Sequence, residues 1–513
     1  MSTAAPASAD SHTVAHRGLI TLCVILASVM QALDNTIANV ALPRIQGSLS
    51  TTQDQMSWVL TSYITATAIM TPLCGWLAGR YGRKRVFMYS VVGFTVSSAL
   101  CGLALSLPQI VLARLLQGLS GAALIPMSQA VLLDINPPER HARAMALWIM
   151  AITVGPILGP VLGGWLTEQY NWRWVFYINV PVGVLAYLGI AAYMPDTPRR
   201  SAAFDFFGFA ALSLGIGALQ LVLDRGQLRD WFNSGEIMLE ATLAVLGLYL
   251  FVVHVLTTRA HPFVSPALFR DRNFLTGNIF IFIVGVVLFA TLALLPSLLQ
   301  RLMAYPVVLA GLITAPRGVG MLIAMFVVNR LSKLVDVRAV IALGFALTAL
   351  SLWQMSGFSL QMDYWPVIWS GLTQGIGTGL VFVPLATVTF ATLPASYRNE
   401  GTALFSLVRN VGSSIGISAV MALFTRNLQV LHSQLGAHVN PFSPALLFGG
   451  GAPATSAALA GLDARVNAQA EMIAYNDDFR LMMLLTLAAI PLIALLRSGG
   501  RMGTQEAEMV ALE

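Results

Sequence analysis

Charged side chains are scarce in this chain. They make up 10% of its 513 residues, whereas soluble proteins contain about 25%. Apolar residues reach 57%, and the mean hydropathy is +0.74. This balance excludes a soluble globular protein. A bilayer core of about 30 Å is crossed by a helix of about 20 apolar residues, so the length allows more than a dozen spans.

Cysteine and histidine are also rare. Cys23, Cys74 and Cys101 fall inside apolar segments, which argues against a disulfide framework. The seven histidines are scattered, without the spacing of metal ligands or of a Ser-His-Asp set, so the sequence does not favour a membrane enzyme, a metal site or a cofactor. The net charge of +6 is explained by cytoplasmic anchoring, and nucleic acid is not expected as a partner.

Apolar segments predict an all-α polytopic membrane protein with 14 spans. Residues 1–16 are predicted to be a disordered tail, 17–200 a first six-helix bundle, 201–260 two inserted helices, 261–497 a second six-helix bundle, and 498–513 another tail. The predicted spans are 17–39, 57–78, 86–106, 109–131, 142–167, 174–194, 204–223, 236–257, 274–298, 306–330, 338–357, 364–392, 402–424 and 479–497.

Lysine and arginine predict the orientation of these spans. With the N-terminus inside, fifteen of them fall in the cytoplasmic connections and five in the short outer ones. Both termini are therefore predicted to be cytoplasmic, and residues 425–478 to lie outside.

A glycine-proline run interrupts the fifth segment. Gly155, Gly159 and Gly163 recur every four residues, so on a helix they form a face without side chains, against which another backbone can close. Pro156 and Pro160 are expected to kink that helix, and Gly164 ends the run. We expect two bundles that rock about this face; the alternative is ordinary small-residue packing of membrane helices.

Asp34 is the one acidic residue predicted well inside a span. It lies about 8 Å from the outer edge, and Arg114 lies about 9 Å from the same edge, so the two can meet. A carboxylate that gains and loses a proton beside an arginine is a proton switch. A static buried ion pair is the alternative.

Two further arginines are predicted inside the second bundle. Arg317 lies about 17 Å deep and Arg409 about 10 to 12 Å from the cytoplasmic end of its span, and no carboxylate in that half is predicted beside them. A cavity lined by cations favours neutral or anionic amphipathic compounds. Alternatively, these arginines bind helix carbonyls or lipid phosphate.

A weak internal repeat relates the two bundles. Leu-Gln-Gly at 116–118 matches Thr-Gln-Gly at 373–375, an offset of 257 residues. Gln117 and Gln374, together with Asn35 and Asn39, are therefore candidate polar residues of the substrate cavity.

Several motifs resemble those of one family, the fourteen-span drug/proton antiporters of the major facilitator superfamily. They are Gly155 to Gly164, similar to the antiporter signature; Asp34 to Pro43; Arg114 to Gly121; and Gly75 to Arg85. The resemblance implies a major facilitator fold, drug export driven by the proton gradient, and proton coupling at Arg114. An importer of a nutrient or metabolite is the competing interpretation.

The fourth motif resembles the loop that gates the cytoplasmic side. Gly75, Arg80, Gly82, Arg83, Lys84 and Arg85 are its candidate gate residues here. The chain departs from the family pattern at Gly79, where aspartate is usual. A salt-bridge latch is therefore not expected at that position.

Further motifs resemble the EmrB-type subgroup of Gram-negative exporters, namely Trp172 to Pro181, Leu223 to Gly226 and Asn440 to Phe442. This resemblance implies the bacterial inner membrane, a periplasmic EmrA-like adaptor and an outer-membrane TolC-like channel. Residues 425–478 are the candidate docking segment, either as an amphipathic helix with Leu459, Leu462, Val466 and Ile473 on one stripe or as a flexible loop.

Overall fold

A computed structural model describes residues 16–197, 204–258, 263–394, 397–438 and 456–496 of the chain. Within these ranges the regular structure is entirely helical, so the all-α prediction is confirmed. The α-helices are α1 Arg17–Leu49, α2 Gln53–Met70, α3 Leu73–Tyr81, α4 Arg83–Leu103, α5 Leu107–Gly121, α6 Leu124–Ile135, α7 Pro138–Gln169, α8 Trp174–Tyr177, α9 Asn179–Tyr193, α10 Phe206–Arg225, α11 Gly235–Thr257, α12 Ala267–Arg270, α13 Arg272–Ser297, α14 Val307–Thr314, α15 Pro316–Leu334, α16 Val337–Met355, α17 Trp365–Ala391, α18 Arg398–Ala437 and α19 Ser456–Ala489.

Twelve helical segments of the described chain are long and apolar enough to cross a membrane. The other two predicted spans also fall on helices: 57–78 lies on α2 and α3, and 142–167 lies within α7. The total of 14 spans therefore stays a prediction.

The predicted span 57–78 is not one continuous helix. It is interrupted at Thr71 and Pro72, because proline has no N–H to donate to the preceding turn. Leu107–Ile135 is similarly divided, at Ala122 and Ala123.

The helices pack in two groups with a pair between them. In the first group α1 packs on α7 and α9, and α5 packs on α2 and α4. In the second group α17 packs on α15 and α16, and α18 packs on α13 and α19. The intervening helices α10 and α11 pack on each other, and α10 also contacts α2 and α18. The domain boundaries drawn from sequence stay predictions.

The glycine face of α7 packs against α1, within the first group. A Cβ on Gly155 would lie 2.8 Å from the backbone of Ala32, and one on Gly159 would lie 2.0 Å from Thr36 Oγ1. Gly163 similarly meets Ile37, whereas Gly164 has open space. This glycine face therefore closes on a helix of its own group, and the prediction that the two bundles rock about it stays a prediction.

Another face of the same stretch of α7 contacts the second group. Val161 lies beside Gly311 of α14, and α7 also contacts α15 and α17. Helix α7 is continuous through residues 155–164, while the side chains of Pro156 and Pro160 lie outside the described set. The helix thus joins α1 to the second group.

The described residues of the predicted outer segment 425–478 are helical, apart from the turn at His438. Helix α18 continues to Ala437 and α19 begins at Ser456, and His432 Nε2 lies 3.0 Å from Asp463 Oδ1 between them. Leu462, Val466 and Ile473 are half-buried on α19. The Leu459 side chain, Asn440 to Phe442, residues 1–15 and residues 497–513 lie outside the described set.

Candidate functional site

Asp34 lies in the middle of the first group of helices. Its helix α1 is 33 residues long, and Asp34 is fully buried, at 0% exposure. The neighbouring turns of α1 lie against the glycine face of α7, where Thr36 Oγ1 donates to the carbonyl of Gly155 at 3.1 Å. The glycines therefore set the position of the segment that carries this carboxylate.

Three side chains donate hydrogen bonds to Asp34. Arg114 Nη1 lies 2.5 Å from Oδ2, Gln117 Nε2 lies 2.9 Å from Oδ1, and Asn179 Nδ2 lies 2.8 Å from Oδ1. The predicted meeting of Asp34 and Arg114 is present in the structure. The carboxylate therefore accepts hydrogen bonds from one guanidinium and two amide groups.

Arg114 is equally enclosed, at 1% exposure. Its Nε donates to the carbonyl of Val59 at 3.2 Å, its Nη1 donates to Gln117 Oε1 at 2.8 Å, and its guanidinium lies 4.2 Å from the ring centroid of Tyr63. The charge pair is therefore supplied with partners on several sides. Such a pair is stable only while both members are present, because either one alone would be an uncompensated buried charge.

Sequence reasoning missed Asn179 and placed Gln117 in the substrate cavity. Gln117 has 0% exposure and belongs to the Asp34 network. Asn179 opens α9, and its amide also donates to Ser98 Oγ at 3.0 Å. Asn179 lies in the motif Trp172 to Pro181, and an amide inside an apolar helix was the signal that could have identified it.

In the second group, Gln374 joins three helices. Its Oε1 accepts a hydrogen bond from Arg317 Nη2, and its Nε2 donates to Thr291 Oγ1 at 3.2 Å. Arg317 is 4% exposed and Gln374 is 0% exposed. No carboxylate pairs with Arg317 in the described chain, so its partner is a neutral amide.

Arg409 is the second buried cation of this group, at 7% exposure. Its Nη2 lies 3.4 Å from Asn410 Oδ1, and its Nε is buried without a hydrogen-bond partner among the described residues. A buried guanidinium without a counter-ion costs several kcal/mol unless an anion or water reaches it. Arg409 is therefore suited to meet an anionic group that enters from outside the chain.

The remaining cavity candidates are placed differently. Asn35 and Asn39 are exposed, and they share one face of α1 because they are four residues apart. The six predicted cavity residues are thus divided into two exposed amides, one amide of the Asp34 network, and a buried Arg-Gln group with Arg409. Their role in substrate binding stays a prediction.

The ends of the two groups are joined by an interhalf latch, formed by Arg83, Asp134, Arg398 and Asn399. Arg83 pairs with Asp134 and donates to Asn399 Oδ1 at 2.5 Å, while Arg398 Nη1 lies 3.0 Å from Asp134 Oδ1. Gly79 cannot form a salt bridge, as expected from the sequence. The latch is present nevertheless, because Asp134 of α6 supplies the carboxylate.

The other gate candidates surround this latch. A Cβ on Gly75 would lie 3.0 Å from the Cα of Glu400, and Gly82 has a φ of 88°, which favours glycine. Arg80 and Arg85 are exposed and Lys84 is half-buried, as expected of a cationic anchor. Burial lowers the pKa of nearby His141, and Arg398 acts in the same direction. His141 is therefore neutral at neutral pH.

Two carboxyl groups are more enclosed than the sequence analysis predicted. Asp478, assigned to the outer segment, is 1% exposed on α19. Asp224, assigned to a span end, has a buried Oδ2. In the described ranges, no group of three or more His, Cys, Asp or Glu side chains could hold a metal ion.

Comparison with known sequences places this architecture among transporters. A sequence profile of the Major Facilitator Superfamily matches residues 24–417. The multidrug export protein EmrB of Escherichia coli (strain K12) is 37% identical over 429 residues, which cover 83% of this chain and 84% of that protein. The fatty acid resistance protein FarB of Neisseria gonorrhoeae is 36% identical over 429 residues, with the same two coverages.

Solved structures share the fold at low sequence identity. The human organic anion transporter MFSD10 aligns with a TM-score of 0.58 at 16% identity, covering 91% of this chain and 99% of that one. The proton:xylose symporter XylE aligns with a TM-score of 0.59 at 14% identity, covering 94% and 99%. At these identities the likeness supports the fold alone.

Proposed function

The chain belongs to the major facilitator superfamily, and we propose that it is a proton-coupled multidrug antiporter which exports hydrophobic, neutral or weakly acidic amphipathic compounds by alternating access. The family, the relatives named as multidrug export proteins, and the buried carboxylate support this function. The observation that carries the proton coupling is the enclosed contact of Asp34 with Arg114.

Proton binding at Asp34 requires this contact to loosen. Arg114, Gln117 and Asn179 all donate hydrogen bonds to the carboxylate and enclose it. Removing one partner of a buried ion pair costs about 3–5 kcal/mol. In the proposed cycle, the opening of the site to the outer side supplies water and a proton to Asp34, and the return of Arg114 releases that proton inward.

Helix α7 is the proposed mechanical link. Its glycines touch α1 at Ala32, Thr36 and Ile37, on both sides of Asp34 in the sequence. Its residue Val161 meets α14 of the second group. Movement of the second group against α7 is therefore transmitted to the helix that carries the carboxylate.

Substrate selection is assigned to the uncompensated cations of the second group. Arg317 and Arg409 are buried beside amides, so an acidic or hydrogen-bond-accepting head group would supply what they lack. The relative named for fatty acid resistance is consistent with an amphipathic acid as one substrate.

We place the protein in a bacterial inner membrane with both termini in the cytoplasm. There it would work with an EmrA-like periplasmic adaptor and a TolC-like outer-membrane channel. The outer parts of α18 and α19, joined by His432 and Asp463, are the proposed docking surface. We expect a photo-cross-linker at exposed Asp463 to capture the co-expressed adaptor and one at exposed Asp336, beside the predicted inner surface, to capture none. Equal capture at both positions would contradict this surface.

The coupling assignment is tested in everted membrane vesicles with the neutral amphipathic dye Nile red. We expect an imposed proton gradient to drive dye accumulation by the unmodified protein, and Asp34→Asn to abolish it while folded protein stays in the membrane. Asp363→Asn, which changes an exposed carboxylate, is the matched control.

Normal pumping by Asp34→Asn would refute the coupling role of Asp34. If the unmodified protein accumulates no dye in vesicles and instead supports growth-dependent uptake in cells, the protein is an importer.

A further inference from the structure

Asp224 is a carboxylate that the proposed cycle does not yet use. It lies one residue before the end of α10, the first helix of the inserted pair. Gln220 Nε2 donates to its Oδ1 at 2.9 Å, and the Thr61 side chain of α2 also interacts with the carboxyl, whereas Oδ2 is buried without a hydrogen-bond partner of good geometry in the described chain. No cation pairs with Asp224 within the described ranges.

The charged groups around Asp224 are occupied elsewhere. Arg225, the next residue, pairs with Glu236 of α11, lies 3.9 Å from Glu240, and places its guanidinium 4.6 Å from the ring centroid of Trp58. Arg229 also pairs with Glu236, at 3.4 Å. These arginines are therefore paired with other carboxylates, and none of them is a counter-ion of Asp224 in the described chain.

The two other elements packed on α10 bring little charge to this position. Helix α2 shows no charged side chain among its described residues, and its Asp54 side chain lies outside that set. On α18, Arg409 and Arg426 are nine residues before and eight residues after Ser418, about 13 Å and 12 Å along the helix.

Asp224 also marks the place where α10 touches both halves of the protein. The carbonyl of Leu223 accepts a hydrogen bond from Ser418 Oγ of α18, in the second group. About two turns earlier, Gly217 allows close packing on Thr65 and Ile69 of α2, in the first group. A change at Asp224 therefore acts on the seam between the halves.

Helix α2 separates Asp224 from the Asp34 network. Trp58, Thr65 and Ile69 face α10, because they contact Arg225 and Gly217. Val59 and Tyr63 face the other way, toward Arg114, and Thr67 donates to the carbonyl of Gly118. The two carboxylates thus lie on opposite sides of a single helix.

From this geometry we propose that Asp224 is a second proton-binding group of the transport cycle, coupled to Asp34 through α2. The proposal rests on the antiport function proposed above. An ionised carboxylate with one buried oxygen lacking a donor is costly, and a proton from the outer aqueous phase removes the charge and supplies an O–H donor. Release of that proton to the inner phase restores the carboxylate.

Infrared difference spectroscopy on the purified full-length protein tests proton binding without requiring transport. We expect a pH titration to show the carbonyl band of a protonated carboxylic acid that is absent from Asp224→Asn and moved, but retained, in Asp224→Glu. Glu236→Gln removes a neighbouring, ion-paired carboxylate and should leave the band in place. A band unchanged in both Asp224 variants would overturn the proposal.

Proton release tests the link to transport. Addition of Nile red to the protein in weakly buffered detergent solution should release protons, less from Asp34→Asn, and none from the Asp34→Asn, Asp224→Asn double variant. Complete loss of release in Asp34→Asn alone would exclude Asp224 from the cycle. No release from the unmodified protein would instead overturn the proposed antiport, while the infrared band would still decide whether Asp224 binds a proton.

Discussion

The two halves of the molecule repeat one contact and use it for different chemistry. Gln117 donates to Asp34 in the first half, and Gln374 donates to Thr291 in the second. Asp34 and Thr291 are 257 residues apart in the sequence, and so are Gln117 and Gln374. A titratable carboxylate in one half is thus replaced by a hydroxyl in the other, which cannot carry a proton in and out at physiological pH.

The arginines differ in the same way. Arg114 comes from the same helix as Gln117 and is balanced by Asp34, whereas Arg317 comes from α15 and, among the described residues, pairs with the amide of Gln374 and with no carboxylate. Gly371 stands where the repeat would place an arginine, and it lies beside Arg317. The first half therefore holds a charge-balanced ion pair suited to proton exchange. The second half holds arginines that need an anionic partner from outside the chain.

The largest difference is expected between two single variants, one that removes an arginine from the first half and one that removes an arginine from the second. Arg114→Gln leaves Asp34 as a buried charge without a counter-ion, so we expect a loss of about 3–5 kcal/mol in stability and no gradient-driven export. Arg409→Gln removes an uncompensated cation, so its stability should be unchanged or higher. Thermal unfolding in detergent checks both. Equal destabilisation by the two variants would contradict the difference between the halves.

A smaller effect is expected on substrate choice. Arg317→Ala should weaken export of acidic amphipathic compounds by about tenfold relative to neutral and cationic ones, which corresponds to about 1.4 kcal/mol. A panel of matched acidic, neutral and cationic compounds measured in vesicles checks this. Arg480→Gln, at an exposed arginine, is the control, and an unchanged ranking in Arg317→Ala would remove the assignment.

The smallest effect is expected when the second half is made to resemble the first. Thr291→Asp places a carboxylate next to Gln374 and within reach of its neighbour Arg317, so the cation acquires an internal partner. We expect export of acidic compounds to fall about threefold, and neutral export to be nearly unchanged. Thr291→Asn, which adds similar bulk without charge, is the matched variant. The same loss in both variants would show that volume, not charge, is responsible.

The relation between these sites was only partly predictable. The depth of Asp34 and Arg114 could be counted along their helices, since each residue advances a helix by about 1.5 Å. The neighbours that complete the Asp34 network could not be predicted, because Asn179 is 145 residues from Asp34 and no local pattern connects them. The glycine run shows the same limit: its spacing predicted a closely packed face, but spacing does not identify the helix on the other side.

The sequence by itself determined the membrane environment, the helical class and the residues able to carry a proton, because these depend on composition, on apolar length and on side-chain chemistry along one segment. Only the tertiary structure decided that the glycine face closes on α1, that Asp134 supplies the latch, and that Asp224 has no counter-ion among the residues the structure describes. These are contacts between distant segments, and their partners are selected by packing in three dimensions.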